Sequence, residues 1–180
     1  EWDPTIDPLM AKHFNLRNLK TGKRDNKSDL LKTFNLKDHG GPVYGMVSRL
    51  SWQKGVGIMI NCMRDALRKG ASLVIVGSGE SDLEMACESL RKEFPESVGL
   101  FVGYSNEMAH KVYAGCDYFL MPSLFEPCGI SQMIAKRYGT LPIVRWTGGL
   151  VDTVIGYTKD NLKTAGGIGF NDYNEAGLSY

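Results

Sequence analysis

The sequence predicts a doubly wound α/β domain, a parallel sheet covered by helices on both faces. Three observations predict it. Short apolar runs recur along the chain without polar interruption, as strands do when both faces of their sheet are buried. Between them lie segments whose apolar residues recur at helical spacing. The two patterns alternate about five times, the order expected of βαβ units and a Rossmann-like sheet.

Residues 1–41 read as a lead-in and 42–180 as the Rossmann-like domain. Residues 1–24 are polar, with Pro4, Pro8 and several charges, and read as a linker or surface loop. A short helix follows, with Asn26 or Ser28 as its cap and Leu30, Leu31 and Phe34 on one face. Val43–Val47 is a buried strand. Val56, Met59, Ile60, Met63 and Leu67 mark a helix, and Gly70 can close it. Leu73–Val76 is the next strand, and Gly77-Ser78-Gly79 ends it. Leu83, Ala86, Leu90 and Phe94 mark a helix that stops before Pro95. Val98–Val102 is a strand, and Met108, Ala109 and Val112 mark a short helix. Tyr118–Met121 is a strand, followed by a loop and a helix over about 129–138. Leu141–Val144 is one more strand, with Gly148-Gly149 and a short helical segment through Val154 behind it.

Composition excludes some functions. The 180 residues are 43% hydrophobic and 23% charged, with a net charge of +1, so the chain as a whole does not attract nucleic acid or membrane. No apolar run is long enough to span a bilayer. The chain opens on Glu1, without Met or signal peptide, and any targeting segment is expected to have been trimmed. Cys62, Cys87, Cys116 and Cys128 lack CxxC spacing and read as buried free thiols of a reducing compartment. His13 and His39 read as solvated, and His110 receives no role.

Ligands of doubly wound sheets bind beyond the C-terminal strand ends, and five loops leave those ends. The first, Ser48-Arg49-Leu50-Ser51-Trp52-Gln53-Lys54-Gly55, sets two cations beside a helix N-terminus. That end already carries partial positive charge. The pair therefore favours an anion site over two solvated cations, with Trp52 as a shield. Gly77-Ser78-Gly79-Glu80 is weak evidence, because tight turns use glycine for backbone reasons and the third glycine of a dinucleotide fingerprint is missing. After Gly103, Tyr104 either stacks on a base or packs over its own loop.

The fourth loop, Met121-Pro122-Ser123-Leu124-Phe125-Glu126-Pro127-Cys128-Gly129-Ile130-Ser131, holds a carboxylate among apolar residues. Burying Glu126 unpaired is costly, so it needs hydroxyl or amide partners, which sugar hydroxyls would supply. The lesser reading makes Glu126 a cap for its own helix. Gly129, Ile130 and Ser131 present helix N-terminal amides to an anion. The fifth loop, Arg145-Trp146-Thr147-Gly148-Gly149-Leu150, either approaches a ligand closely or is an ordinary turn.

Taken together, Val47-Ser48-Arg49-Leu50, Gln53-Lys54-Gly55, Gly77-Ser78-Gly79, Gly103-Tyr104, Met121-Pro122-Ser123, Phe125-Glu126-Pro127-Cys128-Gly129, Arg137-Tyr138-Gly139-Thr140 and Thr147-Gly148-Gly149-Leu150 resemble the glycogen/starch synthases. These are retaining glucosyltransferases of two-domain GT-B architecture, and the resemblance covers nearly the whole chain. It implies that this is their C-terminal, donor-binding half. By it Arg49 and Lys54 hold the diphosphate of ADP-glucose, and Glu126 contacts glucose hydroxyls. The Gly129–Ser131 amides line the phosphate side, and Ser48 and Cys128 belong to the same substrate site. Thr147, Gly148 and Gly149 approach the glucose, and Gly103 and Tyr104 take the adenine. Glucose then passes with retention to the 4-hydroxyl of an α-1,4-glucan, whose binding falls largely to the missing N-terminal domain. No metal or other cofactor is expected, and neither nucleic acid nor membrane is a partner. Ile134 stands where related GT-B enzymes carry a second Glu. The resemblance also implies a bacterial cytoplasm or a plastid stroma. A GT-B transferase using a UDP- or GDP-sugar and a non-catalytic nucleotide-binding module are the alternatives.

Overall fold

The computed structural model describes residues 2–178. Its centre is a parallel sheet of six strands in the order β3-β2-β1-β4-β5-β6, the doubly wound order. The elements run α1 (Leu19–Thr33), β1 (Val43–Val47), α2 (Val56–Arg68), β2 (Ser72–Gly77), α3 (Ser81–Glu93), β3 (Val98–Val102) and α4 (Asn106–Gly115). Then follow β4 (Tyr118–Met121), α5 (Ser131–Arg137), β5 (Leu141–Arg145), α6 (Gly149–Thr153), β6 (Ile168–Phe170) and α7 (Glu175–Leu178). No helix of the described residues is long and apolar enough to cross a membrane.

Alternation along β2 explains the two-faced core. Leu73 and Ile75 point to one side, where Val56, Met59, Ile60, Met63, Leu83 and Leu90 of α2 and α3 bury them. Val74 and Val76 point to the other, against Leu30, Leu31, Val112 and Tyr113 of α1 and α4. The fully buried Val144 and Leu150 continue this second layer over β5.

Three expectations are corrected. Residues 2–18 are no linker: Pro4, Asp7, Met10 and Phe14 are buried, and the segment is packed into the second layer. Its mostly polar composition conceals the few residues that point inward. The helix begins at Leu19, after Asn18, well before the expected caps. Asn26 sits buried within α1, and its amide pins the main chain of Lys12 from both sides (Nδ2 to the carbonyl, 2.7 Å; Oδ1 from the amide, 3.2 Å). Third, β6 and α7 were not expected from the sequence.

His110, given no role, is a buried anchor for the lead-in segment. Asp7 accepts hydrogen bonds from His110 Nδ1 (2.7 Å) and the Tyr138 hydroxyl (2.6 Å), and Trp2 stacks on the imidazole at 3.9 Å. His39 is exposed but shares a 3.1 Å hydrogen bond with Ser97, and His13 Nε2 lies 2.8 Å from the Asp7 carbonyl. None of the four cysteines forms a disulfide among the described residues. Cys87 and Cys116 are buried as expected, Cys62 is partly buried, and Cys128 is exposed.

Two lysines fasten α1 beneath the sheet. Lys27 reaches the Gly41 carbonyl (2.9 Å) and Asp117 (2.7 Å). Lys23 donates to the Cys116 carbonyl and the Thr140 hydroxyl, both at 2.6 Å. Burial pushes the Lys23 ammonium down to about 8, from 10.5. Between those values the unfolded chain binds the extra proton, so this group alone makes stability rise with pH across that window. Burial raises the thiols of Cys87 and Cys116 to about 11 and 12, and their contribution falls over the alkaline range. The difference between wild type and Lys23→Met isolates the lysine. In urea unfolding followed from pH 8 toward 10.5, wild type should gain on the variant; a constant difference would contradict the burial of this charge.

Candidate functional site

The chain runs outward from β1 to β2 and β3, then returns past β1 to β4, β5 and β6. β1 and β4 are therefore neighbours whose following loops diverge, which opens a crevice at their C-terminal ends. Loops after β1, β4 and β5 line it. They carry Ser48, Arg49, Lys54, Glu126, Cys128, Gly129, Ile130, Ser131, Thr147, Gly148 and Gly149. Gly103 and Tyr104 follow the edge strand β3, two strands from β1, roughly 10 Å along the sheet edge.

Lys54 ends a 3-10 turn (Trp52–Lys54) that closes on Gly55 and starts α2. Its ammonium lies 2.5 Å from Glu126 Oε2, and Ser123 Oγ donates to the same oxygen at 3.3 Å. Glu126 is 7% exposed. Of the two sequence readings of Glu126 the helix cap fails, while a cation joins the Ser123 hydroxyl as its partner. The carboxylate does not cap its own helix, since no side chain caps α5. Its strongest partner is a cation of the first loop, because a carboxylate this deeply placed needs opposite charge more than neutral donors.

The two loops are joined along their main chains as well. Leu124 N donates to the Gln53 carbonyl (2.8 Å), and Gln53 Nε2 to the Phe125 carbonyl (3.0 Å). Arg49 is exposed, and its guanidinium reaches Gln53 Oε1 at 3.4 Å. Both cations thus face the Phe125-Glu126 turn, Lys54 directly and Arg49 through Gln53. Trp52, expected as a shield, lays its ring against Gly57 and is 57% exposed.

Glycines in these loops serve approach between chain segments. A side chain on Gly77 or Gly79 would strike the carbonyls of Ser48 and Leu50, and the two loops exchange hydrogen bonds there (Leu50 N to Ser78 O, 2.9 Å; Glu80 N to Leu50 O, 2.8 Å). The backbone explanation of this second loop is therefore the right one. Gly148 has φ +49, and a Cβ there would overlap the Glu126 carbonyl; Gly149 N donates to that carbonyl at 3.1 Å. The fifth loop thus lies directly against the Glu126-Pro127-Cys128 turn.

Helices α2 and α5 leave first amides open at the crevice, since no side chain caps either, whereas the first amides of α6 are taken by carbonyls of its own loop and of the Glu126-Pro127 turn. By contrast α4, farther along the edge, is capped by Ser105 Oγ. Ile130 and Cys128 are exposed at the mouth, and Ser131 bonds the buried Tyr113. Tyr104 is 92% exposed, so it does not pack over its own loop. Sequence reasoning missed two supports. Gln132, fully buried, donates to the Cys128 and Gly129 carbonyls and to Thr153 Oγ1, holding the turn from below. Arg145 donates to the Leu124 and Asn171 carbonyls. A buried glutamine beside a glycine turn was the one local signal for the first; none marked the second.

Among the described residues no group of three or more His, Cys, Asp or Glu side chains comes together as a metal site. The arrangement offers two cations, open amides and one paired carboxylate at a single crevice, a set suited to an anionic ligand with hydroxyls beside it.

Comparison with known proteins shows the family. Residues 27–164 match the family model described as glycosyl transferases group 1. The chain belongs to this family. Among curated relatives of this group 1 glycosyl transferase, a glycogen synthase of Myxococcus xanthus is 44% identical over 99% of the chain and 36% of its own length. One from Histophilus somni is 42% identical over 99% of the chain and 38% of its own length. The solved catalytic domain of starch synthase IV from Arabidopsis thaliana, bound to ADP and acarbose, superposes with a TM-score of 0.91 at 35% identity, covering 99% of this chain and 38% of that one. The group 1 chain therefore spans somewhat over a third of the length of these relatives, 36% and 38%.

Proposed function

We propose that this chain is the donor-binding half of a glycogen or starch synthase, which transfers glucose from ADP-glucose to the non-reducing end of an α-1,4-glucan with retention. The observation that carries the reading is the Lys54–Glu126 pair at the β1/β4 crevice, with Arg49 on the same rim. The similarity to glycogen synthases and to a starch synthase bound to ADP supports it.

In this reading an ammonium has three donors, so Lys54 can keep Glu126 and still reach a diphosphate oxygen. Arg49 adds a second fixed charge. The two would hold the diphosphate and stabilise it as it departs with its new charge, without a metal. Glu126 retains lone pairs for glucose hydroxyls, and its contact with Lys54 fixes it in place. Ser48, Cys128 and the amides of Gly129, Ile130 and Ser131 serve the phosphates. Thr147, Gly148 and Gly149 border the glucose. Gly103 and the exposed Tyr104 take the adenine by stacking. The glucan would be bound largely by the synthase's N-terminal domain, so the chain alone is expected to bind donor without turning it over. Such a synthase would work in a bacterial cytoplasm or a plastid stroma.

Titration calorimetry with ADP tests the proposal. Arg49→Ala and Lys54→Ala should each weaken binding by about tenfold or more, the value of a charge-assisted contact. ADP should also outcompete UDP and GDP. Equal affinity in wild type and both variants would refute the site, and preference for UDP would assign the chain to another donor.

A further inference from the structure

Arg145 was not among the residues singled out from the sequence, and it touches neither Lys54 nor Glu126. It nevertheless sits where three loops meet. At the end of β5, its Nη1 donates to the Leu124 carbonyl at 2.8 Å, and its Nε to the Asn171 carbonyl beyond β6 at 3.0 Å. The guanidinium lies over the Tyr173 ring, 5.5 Å from its centre. The Tyr173 hydroxyl donates in turn to the Trp52 carbonyl at 2.8 Å. Leu124 N closes the circuit on the Gln53 carbonyl at 2.8 Å.

These contacts form a ring: Arg145, Leu124, Gln53, Trp52, Tyr173 and back to Arg145. Lys54 follows Gln53 in the chain, and Glu126 lies two residues beyond Leu124. We propose that Arg145 and Tyr173 are positioning residues that fix the separation of the Lys54 and Glu126 loops, and so set the width of the diphosphate crevice. The inference rests on the donor-site reading and deepens it. The planar fork of arginine is what the geometry requires. One cation must donate in two directions, to carbonyls of two loops, while presenting a flat face to an aromatic ring. The segment beyond β6 thereby becomes a strap tied to the first loop, although β6 and β1 are separated in the sheet by β4 and β5.

The test uses ADP as probe, with calorimetry on this chain and on Arg145→Ala, Arg145→Lys, Tyr173→Phe and the Arg145→Ala/Tyr173→Phe double variant. Lys54→Ala serves as reference. Small misplacements of a binding group cost large factors, so Arg145→Ala should bind about tenfold more weakly. Arg145→Lys keeps the charge but loses the fork, and should resemble the alanine variant. Tyr173→Phe removes a single hydroxyl with little threat to folding, and should cost about fivefold. Because both residues belong to one ring, the double variant should be no weaker than Arg145→Ala.

Wild-type affinity in Arg145→Lys would show that charge alone matters and overturn the proposal. Losses that multiply in the double variant would also overturn it, as independent contacts. If Lys54→Ala loses ADP while the Arg145 and Tyr173 variants keep it, the ring fails and the donor site stands. If Lys54→Ala also binds as wild type, the donor reading itself falls.

Discussion

Lys54→Met should destabilise the protein by about 2–3 kcal/mol, in addition to its effect on ligand. The cause is Glu126 rather than the lysine. Its carboxylate is 7% exposed and would keep only Ser123 Oγ as a side-chain partner, at 3.3 Å. An uncompensated buried charge costs more than the pair contributes. It follows that adding Glu126→Met to Lys54→Met should recover most of the lost stability, because an apolar pair needs no counter-charge. Urea unfolding of the four proteins measures this as a double-mutant cycle. Equal losses in the single and double variants would mean that the pair is a surface contact of little consequence.

The second large effect lies far from the crevice. Asp7→Ala should cost about 3 kcal/mol, because it orphans His110 and Tyr138 together. His110 Nε2 already lacks a partner in its buried position, so the loss of Nδ1's acceptor leaves the ring with none. Asp7→Asn should cost less, since one amide oxygen can still accept. The acid side of the stability curve gives a second check. Burial raises the Asp7 carboxyl, but hydrogen bonds from His110, Tyr138 and the Leu9 amide outweigh it and hold the group below its usual 3.8. A depressed carboxyl contributes stability above its unfolded value and loses it as pH falls through the folded one. Asp7→Asn should therefore show a flatter decline below about pH 4 than wild type. An unchanged acid limb would contradict the account of Asp7.

Most of the sheet was legible in the sequence because its strands are buried on both faces. Leu73 to Val76 can be read as a strand without knowing its neighbours. Ile168–Phe170 could not: it is a three-residue edge strand set among Gly166, Gly167 and Gly169, with no run for a pattern to form. The lead-in was hidden for a related reason. Its buried residues, Pro4, Asp7, Met10 and Phe14, lie three or four apart, but a proline and a carboxylate among them and Pro8 between them break any apolar helical reading.

At the candidate site, residue types were legible and their partnerships were not. Arg49, Lys54 and Glu126 stand out because charge at a strand end or in an apolar loop needs an explanation. That Lys54 would answer Glu126 depends on β1 and β4 being neighbours, which brings residues 72 apart in sequence into contact. Asp7 and Tyr138 are 131 apart, and no local pattern announces them. The glycines of the fifth loop likewise offered a close approach without naming what approached, and those of the second read only as a turn. In both loops what approaches is another turn of the same chain.

Amide chemical shifts of the isotope-labelled chain during an ADP titration give the most direct view of the crevice. The largest changes should fall on the loops after β1, β4 and β5, around Lys54, Glu126–Ser131 and Gly148, with smaller ones at Gly103 and Tyr104. Changes confined to α1 or to the α7 side of the sheet, with the Lys54 and Glu126 loops silent, would contradict the assignment of the β1/β4 crevice as the nucleotide site.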